Sequence, residues 1–200
     1  MTEFSKAKKI KLEQIYTVTE RDLQTAHELI QKLYEKCREK GKTRKAGSIR
    51  RSDYTHKPSE ITISSWKMND WDYKKREVPT PARGLFTRQT DEHRYEIVIR
   101  GYDKFFNIGE VEKTKSIIAN TESPYEITAK ENGCIIFIGG LPNGNILVTS
   151  KHSMGELQNV VIAHAQKGEE WLEKHLNQVG KSKQDLAKFL YTNKLTAVAE

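Results

Sequence analysis

The chain has 200 residues, with 34 Lys and Arg against 27 Asp and Glu, a net charge of +7, and 36% hydrophobic residues. That length suffices for one domain with a real core, and no stretch approaches the roughly eighteen apolar residues that span a bilayer, so a membrane chain is excluded. Cys37 and Cys134 stand in unrelated contexts, which excludes a disulfide framework and a cysteine-based metal site and suits a reducing compartment.

The N-terminus, Met1 to Lys9, is basic but has no apolar segment behind it, so it does not read as a secretory signal. Thr19 with Asp22 three residues later predicts a helix start. Leu23, Ala26, Leu29, Ile30, Leu33 and Cys37 keep helical spacing until Gly41 stops it. Residues 42–58 are polar, contain Gly47 and Pro58, and read as a loop. Short strands follow at Ile61–Ile63, Gly84–Thr87 and Tyr95–Arg100. Tyr125–Lys130 and Cys134–Ile138, separated only by Glu-Asn-Gly, form a predicted hairpin, and Gly139–Asn145 turns the chain into Ile146–Ser150. A long helix is expected over about 156–177, with Leu157, Val160, Val161, Trp171, Leu172 and Leu176 toward the core. A shorter helix spans about 182–191, and Leu195–Glu200 reads as a last strand. Strands grouped around hairpins, with helices set apart, argue an α+β fold. Two regions are expected, an N-terminal helix with a basic loop over 1–58 and the strand-rich remainder over 59–200.

The positive charge is clustered. Lys36, Arg38, Lys40, Lys42, Arg44, Lys45, Arg50 and Arg51 are opposed only by Glu39. Such a run is either a solvated helix end or a phosphate-tracking surface, and Lys42, Arg44, Lys45, Arg50 and Arg51 are the candidate RNA contacts of the second reading. Lys74-Lys75-Arg76 follows the aromatic run from Trp66 to Tyr73, whose tryptophans fit core packing better than base stacking.

Four short motifs come in a fixed order: Arg83-Gly84-Leu85-Phe86, Gly101 to Glu110 with Lys104-Phe105-Phe106-Asn107 inside it, Thr128-Ala129-Lys130-Glu131-Asn132-Gly133, and Ser150-Lys151-His152-Ser153. Taken singly, each has a plain structural explanation. Lys130 is a hairpin-edge lysine beside a tight Asn-Gly turn, Phe105-Phe106 is core packing, Arg83 precedes a strand, and Lys151 ends one. Their joint occurrence in sequence changes the reading.

Together these runs resemble the nucleotidyltransferase core of fungal-type tRNA ligases and, more distantly, phage-type RNA ligases. The resemblance begins near Ile63, takes in Ser65 to Tyr73, and runs to Tyr191-Thr192-Asn193 and Leu195 to Glu200. It implies an α+β nucleotidyltransferase core with a mixed, largely antiparallel sheet and flanking helices. Lys130 would be the nucleophile that takes AMP from ATP with Mg²⁺. Arg83, Gly84, Lys104, Asn107, Thr128, Asn132, Gly133, Lys151 and Glu200 would bind the nucleotide, and Glu200 its ribose or an associated metal. The AMP would pass to an RNA 5′-phosphate before a 3′-end displaces it, sealing tRNA exon halves that carry a 2′-phosphate, and messenger RNA in non-conventional splicing. The resemblance further implies kinase and cyclic phosphodiesterase domains in the same parent chain, and a place in the nucleus, the cytoplasm or both. The family's later motifs follow the position of Glu200, so these residues are expected to be the N-terminal piece of a larger enzyme, weak or inactive alone. A catalytically silent RNA-binding module, a DNA ligase and an mRNA capping enzyme are the alternatives.

The chemistry such a site needs is specific. An attacking lysine must be deprotonated, and a reference pKa of about 10.4 leaves little free amine at neutral pH. Burial and cationic neighbours depress it, and Arg83, Lys104 and Lys151 would supply those neighbours while neutralising a triphosphate. Gly133 lets a nucleotide approach the backbone without meeting a Cβ.

Overall fold

The structure is a computed structural model that describes residues 17–39, 49–70, 72–74, 78–115, 122, 132–154, 156–157, 160–161 and 163–200. Helix α1 (Glu20–Glu39) opens on a reciprocal cap, with Thr19 N–H donating to the Asp22 carboxylate at 2.8 Å and Asp22 N–H to Thr19 Oγ1 at 3.3 Å. Strands β1 (Arg50–His56), β2 (Ile61–Lys67), β3 (Leu85–Gln89) and β4 (Tyr95–Arg100) form one antiparallel sheet in the order β1-β2-β3-β4. Strands β5 (Ile136–Gly140), β6 (Ile146–Ser150) and β9 (Ala197–Ala199) form a second, with β5 in the middle. Between β6 and β9 lie the short antiparallel pair β7 (Glu156–Leu157) and β8 (Val160–Val161), then α2 (Ala163–Gln178) and α3 (Lys183–Thr192). Every strand pairing among the described residues is antiparallel, and the fold is α+β as expected.

Three buried clusters make this a layered structure. Ile30 and Leu33 of α1 meet Trp66 and Leu85 on one face of the four-stranded sheet. Ile63, Phe86 and Ile99 on its other face meet Phe137 and Leu147 of the second sheet. Ile136, Ile138, Ile146 and Val148 then point the opposite way, onto Ala187 and Leu190 of α3. Strict alternation along β5 and β6 produces this division. In β4 a register shift does the same work: Phe86 pairs with Ile99 but Thr87 with Ile97, so Ile97 turns to the α1 side and Ile99 to the other.

The structure corrects several expectations. Within the polar stretch 42–58 expected as a loop, Arg50–His56 forms β1 and pairs with all seven residues of β2, while 42–48 lie outside the described residues. As an edge strand largely open to solvent, it needs no apolar alternation. The helix expected over 156–177 begins only at Ala163; the β-branched Val160-Val161 belongs to a strand pair instead. Trp171 lies on the solvent side of α2, not in the core. Phe105 is exposed as well, and only Phe106 packs inward. The first strand of the hairpin predicted at Tyr125–Lys130 lies outside the described residues, and the second begins at Ile136.

Candidate active site

The two upstream motifs are stitched together by backbone hydrogen bonds beyond the ends of β3 and β4. Arg83 N–H donates to Tyr102 O at 3.0 Å, Gly101 N–H to Gly84 O at 2.7 Å, and Lys104 N–H to Pro81 O at 2.7 Å. Both glycines press on the ring of Phe137. A Cβ on Gly84 would come within 2.2 Å of that ring, and one on Gly101 within 1.9 Å of Arg83 O. Gly84 also has φ +77°, a conformation that suits glycine. Phe137 of β5 thus fixes the backbone that carries Arg83 and Lys104.

The strand register brings the remaining motifs to the same rim. Ile136 at the start of β5 pairs with Ser150 at the end of β6 and with Ala199 at the end of β9. Lys151 and Glu200 therefore each stand one residue beyond strands flanking β5, beside the segment that leads into it. Gly133 lies in that segment, where a Cβ would come 3.2 Å from Glu200 Cγ.

Electrostatics links Lys151 to the upstream motifs. Burial lowers the Lys151 ammonium below its usual range, and the charges of Arg83, Lys67 and Lys104 lower it further, with Asp70 opposing them. Arg83 reaches Asp70 at 3.7 Å and lies 5.9 Å from the centre of the Tyr73 ring. Its Nε is buried and has no hydrogen-bond partner. His152 is pushed down to about 4, by burial first and then by Lys151, Lys67 and Arg83. It is neutral at pH 7, and its buried Nδ1 also lacks a partner. Its carbonyl accepts from Ser65 Oγ at 2.9 Å, tying the Lys151 turn to β2.

Arg83, Gly84, Lys104, Gly133, Lys151 and Glu200 thus converge on one rim. Asn107 sits in an exposed turn, its N–H donating to the Glu110 carboxylate at 3.1 Å. Asn132 is exposed next to Gly133. Lys130 and Thr128 lie outside the described residues, as do Lys42, Arg44 and Lys45. Arg50 is exposed on β1, while Arg51 pairs with Asp53 at 3.0 Å and lies over the Tyr34 ring. Sequence reasoning did not assign roles to Asp70, Lys67, His152 or Phe137. Asp70 and Lys67 belong to the aromatic-basic run from Trp66 to Tyr73, a mixture that could have flagged them; Phe137 carries no such signal.

This cluster can hold a polyanion. Four cations, Lys67, Arg83, Lys104 and Lys151, stand with one carboxylate, Asp70, and the buried Arg83 Nε has no acceptor. Hard oxygen donors suit magnesium, and Glu200 could supply one, although no group of three or more potential metal ligands occurs among the described residues.

Comparison with known proteins places the chain among RNA ligases. Residues 81–200 match the family described as RNA ligase. The chain is 56% identical over 126 residues to tRNA ligase 1 of Schizosaccharomyces pombe, covering 62% of this chain and 16% of that protein. It is 44% identical over 163 residues to the tRNA ligase of Candida albicans, covering 71% of this chain and 19% of that protein. The chain spans less than a fifth of the length of either relative.

Proposed function

The chain belongs to the RNA ligase family, and from that premise we propose that it carries the ATP site of an enzyme that seals RNA ends through a covalent lysyl-AMP on Lys130. The observation that supports this most is the meeting of Arg83, Lys104 and Lys151 beside a single carboxylate. Such a cluster costs free energy in an empty pocket and lowers it around a triphosphate.

In this reading the free amine of Lys130 attacks the α-phosphorus of ATP, an N–P bond forms, and pyrophosphate leaves. An oxygen of an RNA 5′-phosphate then attacks that phosphorus and frees the lysine. Finally a 3′-hydroxyl attacks the 5′-phosphorus, and AMP departs as the phosphodiester closes. Arg83, Lys104 and Lys151 hold the phosphates in line and keep cationic charge near the lysine, which favours its neutral form. Gly133 keeps the backbone open to the nucleotide, and Glu200 holds its ribose or a magnesium ion. Magnesium, when bound, neutralises charge on the phosphates.

Both relatives are named tRNA ligases, which supports RNA as the substrate; in this reading the substrates are cleaved tRNA halves whose 3′-end carries a 2′-phosphate, with non-conventionally spliced messenger RNA as a second one. Kinase and cyclic phosphodiesterase domains would lie elsewhere in the parent protein, acting in the nucleus, the cytoplasm or both. The test uses the full-length protein with labelled ATP and magnesium. Stoichiometric label on Lys130, lost in Lys130→Ala while RNA binding persists, is the expected result. A Lys130→Ala protein that still joined unmodified ends would overturn the reading, as would sealing of nicked DNA in preference to tRNA halves.

A further inference from the structure

Tyr102, Phe105 and Ile108 are 62%, 74% and 61% exposed, and they account for three of the six exposed large hydrophobic side chains among the described residues. All three belong to the loop that carries Lys104. This loop is held rather than loose. Asp103 bridges to Ala82 and its carboxylate takes a bond from Arg100 at 2.7 Å. Asn107 N–H donates to the Glu110 carboxylate, while Asn107 O accepts from Thr114 Oγ1 at 2.9 Å. Phe106 is the inward anchor, packed on the α1 side of the core. Two cations flank the same ring, Lys104 Nζ at 4.3 Å and Lys74 Nζ at 5.8 Å from its centre. The anchored backbone therefore keeps the Tyr102 and Phe105 rings in solvent on either side of Lys104 in the chain, while Lys74, beside the Phe106 ring, pairs with Glu110 at 3.4 Å.

The core of a protein interface is depleted of charge, whereas here two ammonium groups flank the Phe106 ring on the same loop. Aromatic faces spaced by cations suit unpaired bases joined by phosphates, and they do so without regard to base identity. We propose that Tyr102 and Phe105 are a stacking platform for unpaired nucleobases of single-stranded RNA, with Lys74 on the linking phosphates and Ile108 extending the apolar edge. The inference rests on the RNA ligase reading and deepens it. It names a surface that grips the RNA strand next to the end being joined.

The experiment uses the full-length protein, Tyr102→Ala/Phe105→Ala, and a 5′-phosphorylated single-stranded RNA carrying 2-aminopurine near its 5′-end. The expected result is RNA binding weakened about tenfold or more, with loss of the 2-aminopurine quenching seen for the unaltered protein. Transfer of AMP from labelled ATP to Lys130 stays within about twofold, and Tyr102→Ala/Phe105→Trp recovers most of the binding, as a stacking role requires. Unchanged RNA affinity in the double alanine variant would overturn the platform. So would a lowered thermal midpoint with unchanged RNA affinity, which would show that another part of the protein covers this face. If the unaltered protein takes no label on Lys130, it is the ligase reading that fails; normal labelling with indifferent RNA binding defeats only the platform.

Discussion

Phe137 lies so close to Gly84 that a methyl group on the glycine would come within 2.2 Å of the ring. This contact couples the strand after the Lys130 motif to the backbone that presents Arg83. Gly84→Ala meets two penalties: a left-handed φ of +77°, worth about 1–2 kcal/mol, and overpacking worth about 1–3 kcal/mol. Chemical denaturation should show a loss of roughly 2–5 kcal/mol. Adding Phe137→Leu should return the packing part and leave the backbone part, so recovery is partial. Full-strength stability in Gly84→Ala would mean that the ring and the glycine are not in contact.

His152 gives a pH-dependent prediction. Its folded pKa is lowered from 6.5 to about 4, so the unfolded chain takes up this proton first. The contribution is present above pH 6.5 and is lost as pH falls from there toward about 4. His152→Asn should therefore flatten the stability curve over that interval, while the natural protein shows an imidazole resonance with a midpoint near 4. A midpoint near 6.5 would mean that His152 is solvated and clear of its cationic neighbours.

How much of this was legible in the sequence follows from the range of each interaction. The start of α1 was readable because Thr19 with Asp22 is a local reciprocal cap; Ser182 with Asp185 makes the same cap on α3, a signal the sequence reading did not use. Strand β1 was not, because an edge strand can be as polar as a loop. The i, i+3 spacing of Leu157 and Val160 mimicked a helix that β-branching at Val160 and Val161 resists. Within the site, the cations were readable as motif members. Asp70, His152 and Phe137 were not, since their importance arises only when β2, β5 and the Lys151 turn meet in space.

The Ser182 cap makes a simple check on α3, which buttresses Ile138 and Val148 of the second sheet through Ala187 and Leu190. Ser182 Oγ accepts from Asp185 N–H at 3.0 Å. Ser182→Ala should cost about 1 kcal/mol in chemical denaturation, and Ser182→Asp should retain most of it. A cost of several kcal/mol would mean that Ser182 does more than cap.

Asp70 is the single acid among the charges that act on Lys151, opposing Arg83, Lys67 and Lys104. Removing its charge leaves the cations unopposed, so the Lys151 ammonium moves further down from its ordinary value, and the cluster becomes a stronger trap for polyanions. Tripolyphosphate should raise the thermal midpoint of the natural protein, and raise that of Asp70→Asn more, because a ligand bound only by the folded state stabilises it in proportion to its affinity. Arg83→Gln should do the reverse: it removes the largest of the charges that depress Lys151, lets that ammonium rise toward 10.5, and blunts the response to tripolyphosphate. Added salt should shrink all three shifts as it screens the cluster. If Asp70→Asn and Arg83→Gln respond alike, the cations are not acting as one site, and the phosphate-binding role falls with them.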